Sequence, residues 1–94
     1  MHVATCVITF HLFSVDSLKA KRSQVKPLLH RLPKHFNVAV AEIDYHDSWQ
    51  TAVICMVTVG VESGRLHSRL EKAVRWIERN RPDLRIETYS IEFL

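Results

Sequence analysis

Lys19, Arg22, Lys26 and His30 stand at i, i+3, i+7 and i+11, a spacing that lines side chains along one face of an α-helix. Groups so placed can meet a run of phosphates, exchanging bound counterions for basic side chains. Lys21, Arg31 and Lys34 enrich the same segment: from Ser17 to Ala41 there are six Lys/Arg and no Asp or Glu. The remaining residues hold seven basic and ten acidic groups, so +6 is set against −3 within a net charge of +3. Lys19, Lys21 and Arg22 fall in a first helical turn, where each cation opposes the macrodipole at a cost of roughly a few tenths of a kcal/mol. A bound phosphate reverses that sign, because free backbone N–H groups and basic side chains converge on it. The competing reading is a solvated helix face.

Arg65, Arg69, Lys72, Trp76 and Arg79 make a second stripe, and an aromatic among cations is what a nucleic-acid groove uses, stacking plus charge. Against it, Glu71 stands four residues before Arg75, and a Trp beside an apolar stripe can simply pack its edge. Asp47, Trp49 and Gln50 form a third group of contact candidates, in or beside a loop where binding residues concentrate. Trp and Gln can stack on and hydrogen-bond a base, or bury in a partner; the local alternative is turn capping and closure of a sheet edge.

The elements that must position these groups are legible from periodicity. His2 to Phe13 alternates with period two and reads as a strand. Asp16 or Ser17 can cap a helix whose apolar stripe is Leu18, Val25, Leu28, Leu29, Leu32 and Phe36. Pro27 predicts a kink or two shorter pieces, and Pro33 an end. Asn37–Asp44 and Gln50–Val61 read as strands joined by a hairpin loop over Tyr45–Trp49. Glu62 or Ser63 opens a second helix with Leu66, Leu70, Ala73, Val74 and Ile77 inward; Pro82 stops it, and Leu84–Phe93 closes the chain as a strand. The order β-α-β-β-α-β predicts one α+β domain over residues 1–94. Its expected form is the ferredoxin-like arrangement, a four-stranded antiparallel sheet with two helices on one face. A length of 94 residues with 47% hydrophobic and 24% charged content is that of a single globular domain.

The third strand is apolar on both faces, and the first offers Val3, Val7 and Phe13 opposite its core face. A sheet apolar on both sides wants a second cover, and a homodimer is the simplest supplier.

Ser17-Leu18-Lys19 with Lys21-Arg22, then Phe36-Asn37-Val38 with Val40-Ala41-Glu42, then Asp47 with Trp49-Gln50 resemble the YlxP-like family, small bacterial proteins of unassigned function. The resemblance runs from the first strand through the third; beyond it, the last helix and strand match only in type. It implies a ferredoxin-like fold and a bacterial cytoplasmic protein whose relatives are often encoded beside translation and ribosome-maturation factors. No activity and no catalytic residues come with it. Pro27 departs from the family's uninterrupted first helix.

Signals for catalysis are weak. Phosphate-cleaving enzymes of this fold need a glycine-rich cradle after the first strand, and Ser14-Val15-Asp16-Ser17 contains no Gly. Cys6 and Cys55 lie in apolar runs without an activating base, and the six histidines show neither zinc spacing nor a CxxC companion. His46-Asp47 could be an acid–base pair only if geometry brought the groups into line. No basic n-region precedes an apolar run, and none reaches the roughly 18 residues of a membrane span. The expectation is a cytoplasmic, non-catalytic RNA- or ribosome-associated module with no metal or cofactor. Its alternative is a homodimeric protein–protein adaptor using the open sheet face and Trp49.

Overall fold

The computed structural model describes residues 1–44 and 48–94. Strand β1 (His2–Leu12) leads into helix α1 (Leu18–Phe36), then strands β2 (Ala39–Asp44) and β3 (Thr51–Gly60), helix α2 (Ser63–Asn80) and strand β4 (Leu84–Phe93). The sheet has the order β2-β3-β1-β4 with every neighbouring pair antiparallel. This is the βαββαβ ferredoxin-like fold that the periodicity predicts.

Both helices pack on one face because the alternation in β1 leaves them one apolar surface. Ala4, Cys6, Ile8, Phe10 and Leu12 are buried and share a single core with Ala52, Ile54 and Met56 of β3. Val25, Leu28 and Leu32 close it from α1; Leu66, Leu70, Ala73, Val74 and Ile77 close it from α2.

β2 begins at Ala39, not Asn37, and β3 runs Thr51–Gly60, not Gln50–Val61; the other points at which the boundaries depart from or settle the sequence reading each have a physical cause. β1 stops at Leu12, because Ser14 adopts φ 56 and turns the chain, leaving Phe13 exposed. Pro27 and Pro33 neither divide nor end α1, which runs unbroken to Phe36. Both prolines lie on exposed positions, and Ser23, whose carbonyl loses its helical donor to Pro27, is exposed as well, so water can satisfy it. The stop is set by Asn37, at φ 50 and ψ 54 in the left-handed region that Asn tolerates. At the other end Ser17, not Asp16, is the cap: its hydroxyl oxygen accepts from the Ala20 N–H at 3.0 Å.

Arg81 ties the ends of the two helices together. Its guanidinium donates to the Gln24 carbonyl at 2.7 Å and to the Asp83 carboxylate at 2.8 Å. That hydrogen bond holds the Asp83 carboxyl below the usual carboxylate range. Gln24 near the start of α1 therefore meets the end of α2, and the two helices run antiparallel.

Candidate nucleic-acid interface

Charge in this fold is sorted by layer. The two helices hold eleven Lys/Arg against two acids, Glu71 and Glu78, a net of +9. Strands and connections hold two Arg against eight acids, a net of −6. The basic segment read from residues 17–41 is thus half of a larger surface, completed by α2.

On α1, Lys19, Arg22, Lys26, His30, Arg31 and Lys34 are exposed, as phosphate contact requires. Lys21 is not. It is 2% exposed, and its Nζ lies 3.0 Å from a carboxylate oxygen of Glu42 on β2. Lys21, Val25, Leu28 and Leu32 stand at i, i+4, i+7 and i+11, so Lys21 belongs to the buried stripe, not to the phosphate-facing set. That correction removes one member of the predicted site.

On α2, Arg65, Lys72 and Arg79 are exposed, while Arg69 and Trp76 are half-buried. Arg69 donates to the Thr58 hydroxyl, which itself donates to the Asn37 carbonyl at 3.1 Å. This chain of bonds pins α2 to β3 and to the left-handed residue that ends α1. Thr58 is 4% exposed, so Thr58→Val strands both partners and is expected to cost about 1–2 kcal/mol in chemical denaturation. An unchanged denaturation midpoint would show that the chain does not hold α2 in place.

The antiparallel helices bring the last turn of α1 against the α2 stripe. The Trp76 ring lies 5.1 Å from His35 at 34° and 6.0 Å from Phe36 at 72°, centroid to centroid. Two concavities open on either side of Phe36 and Lys72. One, of about 310 Å³, is walled by His35, Ser68, Arg65 and Arg69; the other, of about 250 Å³, by Arg75, Trp76, Arg79 and Asn80. Each combines an aromatic wall with several cations. His35, Phe36 and Arg75 were absent from the predicted set. Their signal was the placement of His35-Phe36 in the last turn of a helix that must pack antiparallel to its partner. Arg75 also lies 3.9 Å from Glu71, whose other oxygen contacts are the Tyr89 hydroxyl at 3.0 Å and His67 at 3.8 Å. Accepting the tyrosine hydrogen bond, the Glu71 carboxylate raises the Tyr89 pKa.

The loop candidates do not join this groove. Asp47 lies outside the described residues, as does His46, its neighbour in the candidate acid–base pair. Trp49 is 48% exposed and Gln50 is exposed, and the Leu12 N–H donates to the Gln50 carbonyl at 2.9 Å. Nine residues along β3 separate Trp49 from Thr58, a span of roughly 30 Å. The two thiols are poor nucleophiles: burial pushes Cys6 up to about 12, and Cys55 is raised by the same cause. Among the described residues no helix is long and apolar enough to cross a membrane.

The family model described as "Protein of unknown function (DUF503)" matches residues 3–91. The chain belongs to this family. It is also 30% identical over 67 residues to "Uncharacterized protein YlxP" of Bacillus subtilis (strain 168), covering 71% of this chain and 73% of that one. The residues that carry the sequence resemblance to the YlxP-like family have tasks here that are largely architectural. Ser17 caps α1, Lys21 and Glu42 join α1 to β2, Asn37 ends α1, and Val38 is buried. Among the described motif residues, Lys19, Arg22, Asn37, Trp49 and Gln50 are exposed with polar or aromatic groups to offer a partner.

Proposed function

We propose that this DUF503 protein is a non-catalytic RNA- or ribosome-associated module of the bacterial cytoplasm that takes single-stranded RNA along its helical layer. The observation that carries this reading is the net +9 of the two helices, with His35, Phe36 and Trp76 offering ring faces and edges among the cations. Single-stranded RNA combines a phosphate chain with unstacked bases, and charge with aromatic stacking is the pairing that binds it. Central strand β3 lacks this chemistry on the open sheet face: it places Thr51, Val53, Cys55, Val57 and Val59 there, with no ring to stack on.

Fluorescence anisotropy of a labelled single-stranded RNA across a salt series tests it. Affinity is expected to fall with a log–log slope of about −0.7 for each phosphate neutralised. Lys72→Glu/Arg79→Glu should weaken binding at least tenfold and flatten that slope. Trp76→Ala should lose affinity by roughly 1–3 kcal/mol while leaving the slope unchanged. The parallel variant Lys19→Glu/Arg22→Glu/Lys26→Glu measures how far the contact extends along α1. No binding at low salt, or binding indifferent to all three variants, overturns the reading.

A further inference from the structure

The middle of the sheet face turned away from the helices is open and apolar, while Val53, nearer the start of β3, is already buried at 7% exposure. Val3, Val7, Cys55, Val57, Val59 and Ala41 lie on this face by alternation and register, with Val57 36% and Val59 56% exposed. β1 and β3 place no Lys, Arg, Asp or Glu on this face. We propose that a second copy of this chain docks here, sheet against sheet, about a two-fold axis that runs across the strands.

Three features select that occupant. Val, Thr, Ala and Cys give the face low relief, which suits another sheet of the same relief. Its size is adequate: β1, β3 and β4 of ten or eleven residues and β2 of six cover roughly 600 Å² per copy at strand spacing. The two copies together then bury about 1,200 Å², at the low end of the range of specific interfaces. The rim carries one self-complementary pair on β4, beside Glu87, which lies 3.8 Å from His11, and Asp44 of β2, which stands opposite Val53. Arg85 and Glu92 stand on this face at opposite ends of β4, opposite His11 and Thr5 respectively. A two-fold across the strands reverses β4 over its counterpart, setting Arg85 of one copy toward Glu92 of the second. The helical layers then face outward on both sides, so the proposed RNA surface stays open.

Sedimentation equilibrium of the full chain at high micromolar concentration should give twice the 10.9 kDa chain mass. Val57→Glu/Val59→Glu, at positions exposed in the single chain, should return the mass to one copy with an unchanged circular dichroism spectrum. Thiol titration gives an independent readout: Cys55 should react slowly in the parent and at least tenfold faster in that variant, with Cys6 inert in both. Should the double variant misfold, Arg85→Glu gives a milder test. It should raise the dissociation constant several-fold, and Arg85→Glu/Glu92→Arg should restore it. A one-copy mass for the parent overturns the proposal. So does a valine variant that stays two-copy with Cys55 still protected, or a charge exchange that fails to rescue.

Discussion

Replacing Glu42 by Ala is expected to lower the folding free energy by about 3 kcal/mol, read as a shift of the denaturation midpoint at constant slope. The reason is position. Lys21 is 2% exposed and Glu42 17%, and their charged atoms approach to 3.0 Å beneath α1. Taking both groups from water is costly, and their attraction repays it only while both are present. The pair is therefore a specificity device more than a net source of stability. It fixes how the first turn of α1 meets the edge strand β2, a register that apolar contact alone would leave free to slide. The double exchange Lys21→Met/Glu42→Leu should accordingly fall within about 1 kcal/mol of the parent, since apolar groups of similar volume avoid the desolvation penalty. A Glu42→Ala protein as stable as the parent would show that the pair holds nothing. A double variant as weak as the single would show that the ions carry net stability.

Pro27→Ala should act in the opposite direction, stabilising the chain by about 2 kcal/mol. A proline inside a helix costs roughly 3 kcal/mol relative to Ala, through a missing N–H and a crowded carbonyl. Part of that is offset because Pro also restricts the unfolded chain, by about 0.4–1 kcal/mol. Pro27 is exposed on an otherwise continuous helix, so the substitution restores a hydrogen bond and leaves the core intact. For a domain of this size the gain amounts to roughly 10 °C in melting temperature. A fall in stability would mean that packing of Val25 and Leu28 relies on the course Pro27 imposes. RNA affinity measured on the same variant separates the roles further, because Pro27 shares its surface with Arg22, Lys26 and His30.

The fold was legible because its signals are redundant. Period-two alternation in His2–Leu12 and the Leu66–Ile77 stripe each specify one element and one inward face, and the two agree on a single core. The end of α1 was harder, since proline chemistry argues for a break at Pro27 or Pro33. The side of the helix on which a proline falls decides whether water can rescue the lost bond. Asn37, a residue at home with positive φ, carried the true stop. Lys21 was misplaced because its charge outweighed its spacing, although i, i+4, i+7 with Val25 and Leu28 already marked it as inward. The groove at Trp76 depends on two helices meeting antiparallel, and His35 and Phe36 are forty residues from Trp76 in sequence. Only topology brings them together.

Segregating charge between layers also makes the molecule an electric dipole. Its shorter dimensions are 23 and 21 Å, while at physiological ionic strength fields decay over about 8 Å. A polyanion approaching the helices therefore responds chiefly to their cations, reduced where Glu42 lies 3.0 Å from Lys21 and Glu62 3.1 Å from Arg65, and the modest net charge of +3 understates the attraction. One approaching the strands meets the opposite sign. The resulting torque rotates the protein before contact, so chance collisions convert into encounters that present the helices first.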